Sequence, residues 1–243
     1  MGKLMSKPIV DFPRLRITGV FFAWAGAYVW LLMGRHYQMF LRPGFWVLLL
    51  LALVIILVFL AAVIIRPGHA EHVTQSAALW IKTGLLLLPL FYLLAAQDET
   101  LKSHAFKTRS TAQSFPFEPG SAKVPNETRK EGELTLLEIL ADFDKYKGKR
   151  VITKGMVFRD DTLPEKHFVV FRFVIVCCAA DAMPAGILLA HTHADSFEKD
   201  SWVRVEGTIG LKKVEDVDYP YMEAENIVAI DPLKNPYLYP QFF

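Results

Sequence analysis

Apolar residues dominate the first hundred positions in three long stretches. Beyond residue 130 they fall into short runs that alternate with polar positions. Crossing a bilayer core of roughly 30 Å takes about 20 apolar residues at helical rise. In lipid the backbone must satisfy its own hydrogen bonds, so such stretches are predicted to be helices. The clearest is Phe45–Ile65, FWVLLLLALVIILVFLAAVII, which holds no charge, glycine or proline. Ile17–Met33 is shorter and contains Thr18, Gly19 and Gly26. It exceeds a typical secretory h-region and leads into Arg35, His36, Tyr37 and Gln38 rather than a small-x-small cleavage site, so it reads as a retained helix. Ala77–Ala96 carries Lys82, which can snorkel toward headgroups, and Pro89, which can kink a helix. The expected architecture is a membrane anchor over residues 1–100 with about three transmembrane helices, at 17–33, 45–65 and 77–96.

Residues 101–132 are rich in Ser, Thr, Pro and Gly and have no apolar period, which predicts a polar tether. Asn126-Glu-Thr128 inside it matches a glycosylation acceptor, a tripeptide too common to weigh. Leu134, Leu137, Ile139, Leu140 and Phe143 then recur at helical spacing, and Thr135 to Glu138 resembles a capping box, so one helix is expected over 134–145. Five strand-like runs follow, at 150–160, 167–178, 185–191, 201–210 and 221–230. The fourth alternates cleanly, with Val203, Val205 and Ile209 on one face. Gly155 in the first suggests a bulge or sharp bend. Five short strands with internal glycines predict a small closed β-barrel of the oligonucleotide/oligosaccharide-binding (OB) type over residues 133–243.

Charge narrows the function. The net charge is +2, and the barrel region carries Glu206, Glu215, Asp216, Asp218, Glu223 and Glu225, so a nucleic-acid partner is not expected. Basic residues on alternate sides of the spans balance at five against five. The four that precede the first span (Lys3, Lys7, Arg14 and Arg16) favour a cytoplasmic N-terminus and, after three crossings, an extracytoplasmic C-terminal domain. No GxSxG, P-loop, HExxH or CxxC signature is present, and no enzymatic activity is expected.

Chemistry is concentrated in Cys177, Cys178 and Asp181, at the end of the second strand run. Thiolates suit zinc, copper(I) and related transition metals. Neighbouring side chains on a strand point to opposite faces, so both sulfurs reach one ion only if the strand ends there. Cysteine is also a common small buried hydrophobe, and Asp181 alone reads as a turn residue, so a structural role stays open. His191 and His193, two apart, would share a strand face and form a second candidate metal pair, with exposed loop histidines as the plainer reading. His69 and His72 read as residues of a solvated loop.

The stretches GKRVITKGMVFRD, FVVFRFVIVCCAADAMPAGILL and WVRVEGTIG resemble the YcgQ-like family of bacterial membrane proteins, two-component permease subunits. The distinctive core, Arg-Phe-x-Ile-x-Cys-Cys-x-Ala-Asp-Ala, is intact from Arg172 to Ala182, and Arg42-Pro-Gly-Phe45 before the second span also fits. The resemblance implies a bacterial inner-membrane location and a larger YcgR-like permease as partner. It also implies a link to zinc transport or homeostasis. The expected function is thus an accessory, membrane-anchored permease subunit, with a stand-alone extracytoplasmic thiol or metal-handling protein as the alternative. The C-terminal segment from Pro236 to Phe243 is unexplained by either.

Overall fold

The computed structural model describes residues 12–65, 77–95, 101–110, 132–192, 194–214 and 217–240. His69, His72, His193 and the tether over 111–131 lie outside the described residues. The chain divides into two compact units, Met1–Glu99 and Thr100–Phe243.

The first unit holds three helices: α1 (Phe12–Met33), α2 (Trp46–Ile65) and α3 (Ala77–Ala95). Phe21 of α1 stacks on Phe59 of α2 at 6.4 Å, and the Arg16 guanidinium lies 3.7 Å from the Trp80 ring centre, bringing the first turns of α1 and α3 together. Most other large apolar side chains of α2 and α3 face outward, among them Leu48, Val58, Ile81 and Phe91. Two segments, Arg16–Met33 and Pro43–Ile65, are long and apolar enough to cross a membrane. The third apolar helix, Trp80–Ala95 among the described residues, is shorter, and a third membrane crossing is not shown.

The second unit is a small closed barrel of β1 (Arg150–Phe158), β2 (His167–Val174), β3 (Met183–Ala190), β4 (Trp202–Val214) and β5 (Val217–Ile230). The order around it is β1-β2-β3-β5-β4, with β4 returning to β1. Every pairing is antiparallel except β3 with β5. The bulge falls between Glu206 and Gly207 of β4, not at Gly155. A side chain at Gly207 would collide with the Glu223 carbonyl oxygen, which is why the closely paired strand carries glycine there. Gly155 instead lets Val170 and the Phe171 backbone of β2 come close.

One end of the barrel is covered by α5 (Leu136–Ala141) and α6 (Phe143–Tyr146). The Thr135–Glu138 capping box forms as expected, but the expected single helix breaks at Asp142. Leu136, Leu137 and Ile139 join Phe168, Val170, Val203 and Val205 in the main core. The second strand run is apolar on both faces because both faces are covered. Phe171, Phe173 and Ile175 belong to a second core with Trp202, Tyr237 and Phe106.

Phe106 comes from α4 (Ser103–Ser110), in the stretch predicted as polar tether. Its ring packs against Phe158 at 4.7 Å and Phe171 at 4.5 Å. The Ser103 N–H donates to Asp200 at 2.7 Å, and the Leu101 N–H to the Tyr237 hydroxyl at 3.1 Å. Lys107 donates to Asp160 at 2.6 Å and holds that carboxyl at about 2, well below its ordinary value. One well-placed aromatic and a few side-chain bonds thus fix a segment whose composition gave no helical period.

The C-terminal segment is the remaining wall. Leu238 exchanges backbone hydrogen bonds with Phe173 and Ile175, both at 2.8 Å. Arg172, only 1% exposed, donates to the carbonyls of Asn235 (2.6 Å), Pro236 (3.1 Å) and Tyr237 (3.2 Å). Removing a buried charged donor leaves its acceptors dry and unpaired. Arg172→Leu is predicted to lower stability by about 3 kcal/mol or more. Denaturant unfolding of the full chain in detergent, read by tryptophan fluorescence, checks this; a loss under about 1 kcal/mol would mean the segment is held without Arg172.

Candidate metal centre

After Val174 the chain leaves the sheet, passes Cys177 and Cys178, and turns through a short 3-10 helix, Ala179–Asp181, into β3. The turn is built by one carboxylate. Asp181 accepts the Val176 N–H on Oδ1 at 3.1 Å, and the Cys177 and Cys178 N–H groups on Oδ2 at 2.7 and 3.3 Å. Three successive amides converging on one group abolish the alternation of a strand, so the two thiols end on the same side. Their sulfurs lie 3.6 Å apart. The donor atoms of Cys177, Cys178 and Asp181 all lie within 4.8 Å of one another, the one such trio among the described residues. Both cysteines are free; Cys177 is exposed and Cys178 half-buried.

The turn is also held from outside. Arg109, in the last turn of α4, donates to the carbonyls of Ala179 at 3.0 Å and Ala182 at 2.7 Å. Sequence reasoning missed Arg109 because it lay in the supposed tether. Phe106, an isolated aromatic three residues earlier, was the available signal of a docked helix.

The electrostatics follow from the contacts. The hydrogen bond to Asp181 and then that to Cys178 push the Cys177 thiol up to about 12. Burial acts to raise Asp181, but hydrogen bonds from the Cys177 side chain and the three amides outweigh it and leave the carboxyl below its ordinary value. Cys177 is therefore a protonated thiol at neutral pH. That disfavours a nucleophilic role, since the thiolate is the reactive form. A bound cation must displace the proton.

The spacing suits such an ion. With a zinc–sulfur bond of about 2.3 Å, tetrahedral geometry places two sulfurs about 3.8 Å apart, close to the spacing found here. A linear two-sulfur site with bonds of that length would need about 4.6 Å. The donor set thus fits a tetrahedral soft cation of the zinc class without moving the backbone.

Of the second candidate pair, His191 is not brought to this cluster, and His193 lies outside the described residues. His191 follows β3 at its far end, and eight strand residues separate the two by about 25 Å. Its ring packs edge-on against Phe197 at 6.0 Å.

Fold and site together define a closed-barrel domain with a vicinal dithiol, one cysteine exposed and one half-buried, joined in sequence to apolar helices. Residues 130–240 match the family described as the DUF1980 C-terminal domain, a match consistent with the YcgQ-like resemblance. No curated protein matches. A solved structure described as "putative aspartyl-tRNA synthetase from Leishmania major Friedlin" aligns over 45% of this chain and 23% of that one, at 12% identity and a TM-score of 0.28. The chain thus spans under a quarter of that structure, and likeness at this level carries no argument.

The raised thiol gives a prediction. In a Cys178→Ser background, alkylation of Cys177 by iodoacetamide should be slow at neutral pH and keep rising through the alkaline range. Asp181→Asn should shift that profile to lower pH, because it removes the negative charge that holds the proton. A profile centred near the ordinary thiol value of about 8.5 in both proteins would contradict the contact.

Proposed function

We propose that this chain is an accessory, membrane-anchored subunit of a permease whose barrel binds a transition-metal ion of the zinc class at Cys177 and Cys178. The observation that carries the reading is the convergence of two sulfurs and a carboxylate within 4.8 Å on an exposed turn. An exposed dithiol suits an ion that is taken up and released, unlike the closed four-ligand sites of structural zinc.

In this reading α1, α2 and α3 all cross the inner membrane of a bacterial cell, and the lipid bilayer covers their outward apolar side chains. Lys82 reaches the headgroups and extends the short third span. The basic residues before the span at 17–33 (Lys3, Lys7, Arg14 and Arg16) keep the N-terminus in the cytoplasm, so the barrel lies on the other side. The strand order, closed through a parallel β3–β5 pair, is that of an OB-like barrel. The barrel's role is ligand or partner binding, and the partner is a larger YcgR-like permease.

The test is a titration of the full chain in detergent with Zn(II), beside the Cys177→Ser/Cys178→Ser variant. One ion per chain is expected, lost in the double variant with the fold retained. Absence of zinc binding to the wild type would overturn the metal reading. Retrieval of the chain without a multi-span permease after mild solubilisation would favour the stand-alone alternative.

A further inference from the structure

The carboxylate and the sulfurs stand differently toward an incoming ion. Asp181 already accepts three amide hydrogens, at 3.1, 2.7 and 3.3 Å. A carboxylate offers about four acceptor positions, and these amides take three of them. Turning it toward a metal would release the amides that fold the turn and separate the sulfurs that the turn brings together. The sulfurs carry no such duty. Only their mutual contact at 3.6 Å and the Cys177 proton stand between them and a cation.

Resting on the metal reading above, we propose that Asp181 is a positioning residue, that the chain gives the ion only the sulfurs of Cys177 and Cys178, and that soft donors of the molecule exchanging the ion complete its coordination. Zinc in a closed site takes four ligands, so two positions remain. Among the described residues no further cysteine or histidine joins the cluster, and His191 lies at the other end of β3. The exposure of Cys177 leaves the open side to solvent, where thiolate or imidazole groups of an exchange partner can enter. Such a site hands an ion on by ligand exchange: one outside donor bonds to the metal as a water or an earlier donor leaves, and no electron is transferred.

Co(II) bound to the full chain in detergent is the probe. The wild type should show sulfur-to-cobalt charge-transfer absorption of two-thiolate intensity. Added imidazole or a small monothiol should change the visible ligand-field bands while cobalt stays on the protein. Asp181→Asn, which keeps one acceptor oxygen, should leave the band energies unchanged while weakening cobalt binding roughly 10- to 100-fold, as loss of an orienting group outside the coordination shell does. Moved bands in Asp181→Asn would make Asp181 a ligand and overturn the proposal. So would added donors that strip cobalt without first altering its spectrum. If Asp181→Asn does not fold, the donor-addition arm on the wild type decides alone. Failure of the wild type to bind Co(II) or Zn(II) would instead overturn the metal reading on which the proposal rests.

Discussion

Arg172 sets the geometry of the barrel end that carries Cys177 and Cys178. Its guanidinium is almost wholly buried and donates to three successive carbonyls, those of Asn235, Pro236 and Tyr237. Burying such a charge is costly unless its donors are satisfied. Here the satisfying groups come from backbone more than sixty residues away. They pin the C-terminal segment beside β2, where Leu238 bonds to Phe173 and Ile175. Ile175 is two residues before Cys177, so the point at which the chain leaves the sheet is fixed by this one side chain and the strand it captures.

The Cys177–Cys178 turn begins where that constraint ends. Asp181 gathers the amides of residues 176–178, and Arg109 secures the far side through the carbonyls of Ala179 and Ala182. A negative group thus organises the backbone while a positive one ties the turn to α4, the first helix of the barrel unit. The result is a preorganised pair of sulfurs, 3.6 Å apart. Preorganisation matters because an open two-sulfur site has no ligand cage to enforce its geometry.

Much of this was legible in the sequence. The strand alternation of Val203, Val205 and Ile209 and the Thr135–Glu138 box marked real elements, and the five-strand count gave the barrel. The Cys177–Cys178–Asp181 grouping was visible as two adjacent thiols and a carboxylate three residues later, at a strand end. How the sulfurs come to share one side was not, because it depends on carboxylate-to-amide bonds rather than on side-chain period. α4 was illegible for a similar reason: its eight residues are polar on average, and Phe106 is its one large apolar side chain. The role of the C-terminal segment required knowing that Arg172 is buried, which no local pattern reveals for an arginine between two phenylalanines. Two of the expected spans meet the length and hydropathy of a membrane helix, while the described part of the third is shorter.

Zinc-edge X-ray absorption on the metal-loaded full chain tests the central claim most directly. The account predicts two sulfur neighbours at about 2.3 Å, with the remaining shell of nitrogen or oxygen. A shell of nitrogen and oxygen alone, unchanged in Cys177→Ser/Cys178→Ser, would contradict it.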